Sequence, residues 1–282
     1  MSDEEPFIID MTTDRDNDEQ EVHPCIPECA EVCIPFGISL NSDDFLNHLL
    51  PHTRLNDRII DAAVACLMHT YILGDPRGDT ICMAVDCSFL RLLQIFNHRT
   101  PIPRSRATLI TFTSRVTLPS MAFIDQLHQA PTEKLSLVFI PLLVESDHWA
   151  LLVFCFHRKS CFFFDERANR DIALQPARGA FSAITLFFKE LWNVEAASWV
   201  FVDVVPPLPH QDIWGPHVHS AFSCGVNVLQ IVHRLLRNFR RTHDPASLEM
   251  AYPPTCLCAS YRAVIDETLR ESGVPVAYVG LN

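Results

Sequence analysis

An α+β domain is the fold this sequence predicts, and three observations point to it: a helical apolar period from Leu55 to Leu73, short apolar runs bounded by polar residues between Leu135 and Phe164, and a return to helical period after Cys224. Helix-forming and strand-forming stretches each recur along the chain, with no internal repeat.

Residues 1–35 are acidic, contain Pro6, Pro24, Pro27 and Pro35, and show no sustained period, so they read as a mostly disordered tail ahead of a folded domain spanning 36–282. From Leu55 to Leu73 a helix is expected: Asn56 or Asp57 caps it, Asp61 favours its first turn, and Ile59, Ile60, Ala63, Val64, Leu67, Met68 and Tyr71 share one face. A second helix is expected near Phe89 to Phe96, then strands at Thr108 to Phe112 and Leu135 to Val144, the latter apolar enough to be buried on both faces. Trp149 to Phe156 and Cys161 to Phe164 form a hairpin turned by His157-Arg158-Lys159-Ser160, which brings His148 and Asp165 to the same rim of a sheet. After it come a helix within Phe181 to Trp192, a strand from Trp199 to Val205, a Pro-rich loop, a helix from Cys224 to about Arg240, and a last helix near Tyr261 to Ser272. The Cys224 helix carries Leu229, Val232, Leu236 and Phe239 at helical spacing.

With 282 residues, 48% hydrophobic and 20% charged, the chain can bury a sizeable core. Its longest apolar runs are too short to span a bilayer and no charged-then-apolar leader opens it, so a soluble protein of the nucleus or cytoplasm, with no membrane partner, is expected. The eleven cysteines are odd in number and several (Cys66, Cys155, Cys161) sit in apolar stretches, which favours free thiols in a reducing compartment. Of the net charge of −12, residues 1–21 hold −8 and the remainder only −4, so no nucleic-acid-binding surface is indicated.

Three polar residues stand out against the apolar second half: His148 before Trp149, Asp165 ending an apolar run, and Cys224 opening an apolar helix. A thiol is a useful nucleophile only as thiolate, and a histidine oriented by a carboxylate is the usual way to generate one at neutral pH. At the helix start, with Ser223 as cap, the dipole and free amides would favour the thiolate, and the Cys224 amide would serve an oxyanion. A single free cysteine is more often a small buried hydrophobe, so the weight rests on the set.

That set also carries a family resemblance. Arg54-Leu55-Asn56-Asp57-Arg58-Ile59-Ile60, Val138-Phe139-Ile140-Pro141 leading to His148-Trp149, Phe164-Asp165, and Pro209-His210-Gln211 leading to Cys224-Gly225 together resemble the Ulp1-type cysteine peptidases, the SUMO-specific and NEDD8-specific proteases. The resemblance covers roughly residues 36–272. It implies a papain-like fold with a central mixed sheet flanked by helices, and hydrolysis of the bond after the C-terminal Gly-Gly of SUMO or another ubiquitin-like protein, with no cofactor. It further implies Cys224 as nucleophile, His148 as general base and later acid, Asp165 as orienter of the imidazole, and Gln211 as side-chain oxyanion donor. Trp149 would cover a channel that admits glycines, and Asp57 would face the ubiquitin-like body.

The chain departs from the pattern at four places. Twelve residues separate Gln211 from Cys224, where the family keeps the two close; Arg54 replaces an aromatic residue expected to help enclose the Gly-Gly tail; Ser223 stands where the family has Asp; and Glu166 follows Asp165 where the family usually has Ser. They leave open two alternatives, a protease-like domain that binds SUMO or acts as a scaffold without turnover, and a protease directed at NEDD8 or ubiquitin. In the tail, Phe7-Ile8-Ile9 flanked by Glu4, Glu5 and Asp10 resembles a SUMO-interacting motif that would add an edge strand to its partner. His23, Cys25, Cys29 and Cys33 lack the spacing of a zinc finger and are broken by prolines, so no metal is expected there. Arg234, Arg237, Arg240 and Arg241 read as the solvent face of the Cys224 helix.

Overall fold

Every side chain from His148 to Cys155 is buried, because this strand lies in the middle of a five-stranded sheet with helices on both faces. The computed structural model describes residues 32–34, 38–49, 53–73, 81–85, 87, 135–144, 148–166, 171–205, 223–242, 248, 250, 258–272 and 274–275. In chain order the elements are β1 (Val32–Ile34), β2 (Ile38–Leu40), α1 (Ser42–His48), α2 (Asp57–Met68), β3 (Ile81–Ala84), β4 (Leu135–Val144), β5 (His148–Cys155), β6 (Ser160–Phe164), α3 (Asp171–Trp192), β7 (Val200–Val204), α4 (Cys224–Thr242), α5 (Cys258–Ser272) and β8 (Val274–Pro275). The main sheet has the order β3-β4-β5-β6-β7 and is mixed: the two outer pairs are parallel, and the β4-β5-β6 centre is an antiparallel meander. A small antiparallel sheet, β2-β1-β8, stands apart from it.

Alternation along the central strands divides the core in two. Leu137, Phe139, Trp149, Leu151, Val153, Phe162 and Phe164 join the apolar faces of α2, α4 and α5 on one side. On the other, Val138, Ile140, Leu152, Phe154, Cys161 and Phe163 meet α3, whose Ala173, Ala177 and Ala180 share this buried face before Phe188 packs against Phe154 and Trp199. Each phenylalanine fully buried in this way stabilises the fold by about 1.5–3 kcal/mol.

Several expectations meet the structure differently. The helix expected within Phe181 to Trp192 begins ten residues earlier, at Asp171, and contains Pro176. Proline removes one N–H and crowds the carbonyl four residues back, that of Ile172, so the second turn of the helix forgoes one hydrogen bond. Val32–Ile34, inside the stretch read as tail, is a strand paired on both sides. The expected helix at Phe89 to Phe96 and strand at Thr108 to Phe112 lie outside the described residues, as do Phe7, Ile8, Ile9, His23, Cys25 and Cys29.

The starts of α2, β5 and α4 meet at Leu55. Asn56 caps α2 by accepting from the Ile59 N–H at 2.9 Å, and its amide donates to Asp44 at 2.9 Å. Asp44 is itself half of a capping box with Asn41 at the start of α1 and takes an ion pair from Arg58 at 3.4 Å. The buried indole N–H of Trp149 donates to the Leu55 carbonyl at 2.8 Å. Gly225 closes the junction, since a Cβ there would lie 3.1 Å from the Leu55 Cβ and 3.3 Å from the Ile60 Cδ1. Alanine in a helix gains up to about 1 kcal/mol over glycine, whereas overpacking a core costs about 1–3 kcal/mol. The Leu55 Cβ cannot rotate away, so the clash should win. Urea denaturation of Gly225→Ala should therefore give a net loss of up to about 2 kcal/mol.

A second polar knot ties the far end of α2 to α4 and α5. His69–Leu73 continues α2 as one wide turn, and its Tyr71 hydroxyl lies 2.7 Å from Nε2 of His233, whose Nδ1 lies 2.8 Å from the Tyr261 hydroxyl. Tyr261 donates to the Leu229 carbonyl at 3.3 Å, so it accepts from Nδ1–H and leaves Nε2 to accept from Tyr71. With a neutral imidazole both ring nitrogens are matched, Nδ1 as donor and Nε2 as acceptor. Burial, followed by the nearby Arg237 charge, accordingly lowers the His233 pKa from its ordinary 6.5. A depressed histidine contributes stability that is whole above about pH 6.5 and is lost as the pH falls through the folded value. His233→Gln keeps an acceptor and a donor but cannot titrate. Urea unfolding between about pH 7 and pH 5 should therefore lose more stability in the wild type than in His233→Gln.

Candidate active site

Antiparallel pairing brings the first chemical pair together. In the β5-β6 register Leu151 lies opposite Phe164, so the start of β5 and the residue after β6 share one rim of the sheet. There His148 Nε2 lies 2.6 Å from Asp165 Oδ1, with both side chains buried. A carboxylate can only accept, so Nε2 carries the proton and Nδ1 is left as the basic nitrogen. Asp165 thus fixes both the ring's orientation and its tautomer.

Cys224 is the first residue of α4, is buried, and opens a helix that packs against β5. Its thiol is approached by the backbone N–H groups of Trp149 and Gly225. Trp149 follows His148 directly, so the thiol sits beside the strand end that carries the histidine. Burial pushes the thiol up to about 11; the Trp149 and Gly225 N–H groups pull it down, the Glu166 carboxylate pushes it up, and the Arg54 guanidinium pulls it down. The sequence reading expects the helix start to favour the thiolate, but here desolvation outweighs the local donors. At neutral pH the resting sulfur is therefore a thiol, and a base must take its proton before it can attack.

Two further residues act on the thiol. Glu166 follows Asp165, is partly buried, and accepts from the Ser223 hydroxyl at 3.0 Å. Burial raises its carboxyl to about 7, the Ser223 hydrogen bond opposing this and the Asp165 charge adding to it. Neither contact was foreseen from sequence, although Ser223 and Glu166 both stood out there as departures. Arg54, half-buried just before α2, is held by His48, whose Nδ1 donates to the Arg54 carbonyl at 3.0 Å. At this position, expected to carry an aromatic wall, the structure puts a positive charge near the sulfur.

Of the other expected site residues, Trp149 is buried in the Leu55 junction, and Asp57 is half-buried in the first turn of α2, where it accepts from the Arg58 N–H at 3.0 Å. Gln211 lies outside the described residues. Among the described residues no group of three His, Cys, Asp or Glu side chains is placed to hold a metal ion, and no helix is long and apolar enough to cross a membrane.

No family model matches the sequence, and no curated relative does. Solved structures do match. The chain is similar to the C-terminal Ulp1 protease domain in complex with Smt3, the yeast ortholog of SUMO, at 15% identity over 88% of this chain and 90% of that one, with a TM-score of 0.56. It is similar to the SUMO protease Ulp1 whose catalytic cysteine is oxidised to a sulfinic acid, at 17% identity over 83% and 85% and a TM-score of 0.54. It is similar also to the Ulp1-like SUMO protease catalytic domain of Chaetomium thermophilum, at 21% identity over 87% and 83% and a TM-score of 0.52. A mixed sheet flanked by helices, with α4 opening beside the central strand, is thus the fold of the Ulp1-type protease catalytic domain.

Proposed function

We propose that this chain is a cysteine peptidase that hydrolyses the bond after the C-terminal Gly-Gly of SUMO or a related ubiquitin-like modifier. The observation that carries the reading is the buried His148–Asp165 pair at 2.6 Å on the rim where Cys224 opens α4 beside Trp149. The chemistry follows from the tautomer. His148 Nδ1 takes the Cys224 proton, and the thiolate adds to the glycine carbonyl. The resulting oxyanion needs donors, and the first-turn N–H groups of α4, which have no carbonyl to bond within the helix, are suited to supply them. Collapse breaks the C–N bond, the imidazolium gives its proton to the leaving amine, and a thioester remains. Water, deprotonated by His148, then releases the modifier's carboxylate and returns the thiol. Asp165 stabilises the imidazolium throughout. In this reading Gln211 adds a second oxyanion donor, and Trp149, Asp57 and Arg54 meet the modifier.

The position of Arg54 favours a second reading. A charged residue where a glycine channel expects an aromatic wall suits a domain that binds a modifier without turning it over. Steady hydrolysis of a SUMO C-terminal fluorogenic substrate would reject that reading.

Labelling by an electrophilic probe at the SUMO C-terminus tests the peptidase. The wild type should form an adduct and Cys224→Ala none, while His148→Ala should slow turnover roughly 10²–10⁴-fold. No adduct in the wild type, or an equal one in Cys224→Ala, overturns the proposal. NEDD8 and ubiquitin probes run in parallel assign the modifier.

A further inference from the structure

The end of β6 presents two acids in succession with different partners. Asp165 faces His148, whereas Glu166 turns to α4, where Ser223 donates to it at 3.0 Å and Cys224 feels its charge. Ser223 is the residue whose carbonyl accepts the first hydrogen bond of the helix, from the Asn227 N–H at 3.0 Å. The Glu166–Ser223 bond therefore joins the strand end that orients the base to the helix turn that presents the nucleophile. We infer that Glu166 is a positioning residue for Cys224: its hydrogen bond with Ser223 sets the start of α4 against β6, and its charge governs how readily the thiol gives up its proton. This inference rests on reading Cys224 as the nucleophile.

The groups around it set the sign. Asp165 precedes Glu166 just past the end of β6, and Ser223 and Cys224 face it from the start of α4. Around the thiol itself, Arg54 opposes Glu166 from the α2 side, and the Trp149 N–H opposes it from β5. An anion facing a thiol disfavours a second negative charge, so ionised Glu166 holds Cys224 in its protonated form. With the carboxyl at about 7 and the thiol at about 11, the acid ionises first on raising the pH, and the thiolate then has to form against that charge. Protonation of the carboxyl removes the opposition without breaking the bond to Ser223, because a neutral acid still accepts through its carbonyl oxygen.

Glu166→Gln separates the two roles, since the amide oxygen can accept from Ser223 but carries no charge; Glu166→Ala removes both. The readout is iodoacetamide alkylation of full-length protein as a function of pH, followed at the Cys224 peptide by mass, with thermal melting as the control for folding. At about pH 8 the Glu166→Gln thiol should alkylate roughly three- to tenfold faster than wild type, with its midpoint moved to lower pH. In turnover of the SUMO C-terminal substrate, Glu166→Ala should lower kcat about tenfold with little change in KM, and Glu166→Gln should recover most of that loss. A packing role alone would leave the alkylation profile where it is. Identical profiles in wild type and Glu166→Gln, both folded, overturn the inference. A shifted profile without any modifier adduct overturns the peptidase reading and supports the coupling, whereas an adduct with unshifted profiles overturns the coupling alone.

Discussion

The indole of Trp149 donates across the interior to the carbonyl of Leu55, and the placement of the chemical groups depends on this bond. It fixes the end of β5 that bears His148 to the residue preceding the Asn56 cap of α2. Gly225 then lets α4 approach Leu55 within the distance of a missing methyl group. A buried hydrogen bond contributes only about 1 kcal/mol net, but leaving either partner unmatched costs about 1–3 kcal/mol, so the two segments cannot separate cheaply. Interiors packed as densely as organic crystals pass such a displacement on to their neighbours, and an error of about 1 Å at a nucleophile can cost about a hundredfold in rate. Strand, cap and helix start therefore behave as one unit.

Charge in that unit is formed only on demand. The burial that makes the junction stiff also removes water from Cys224, so the sulfur rests as a thiol despite two backbone donors. In the proposed mechanism Asp165 is already in place to receive the imidazolium that forms when His148 takes the thiol proton. Separating charge inside the site then costs less reorganisation than in water, because the stabilising carboxylate does not need to move. Arg54 and Glu166 pull the thiol in opposite directions, and the Glu166 contribution fades as its carboxyl protonates near neutrality.

Much of this arrangement could be read from local pattern. The apolar periods of β4, β5, β6, α2 and α4 are strong because each element buries nearly a whole face, and the polar turn between β5 and β6 fixes the register that joins His148 to Asp165. Asn56 announced its own cap. What escaped is what depends on tertiary partners. The first turns of α3 contain Gln175-Pro176 and look like a break until Ala173, Ala177 and Ala180 are seen to share a buried face. Strands β1 and β8 are two to three residues long and form only through pairing with distant segments, β1 with both β2 and β8, with no period to detect. Trp149 reads as an apolar residue, and nothing in the sequence says where its N–H points.

The polar pair at the start of α4 shows how a departure from a sequence pattern can change the electrostatics of a site. In the Ulp1 pattern an acid precedes the cysteine and a serine usually follows the aspartate; here Ser223 precedes Cys224 and Glu166 follows Asp165. Acid and hydroxyl have exchanged elements, and in this chain the two positions are bonded at 3.0 Å. An acid at the helix start would complement the positive end of the macrodipole. Carried just past the end of β6 instead, next to Asp165 and partly buried, it gains no such complement and rises to about 7. The negative charge of this chain thus lies at the strand end instead of the helix terminus, in a place where its ionisation depends on pH. The two adjacent acids are thereby divided in partner: Asp165 bonds the His148 ring, and Glu166 bonds the turn that carries the Cys224 thiol.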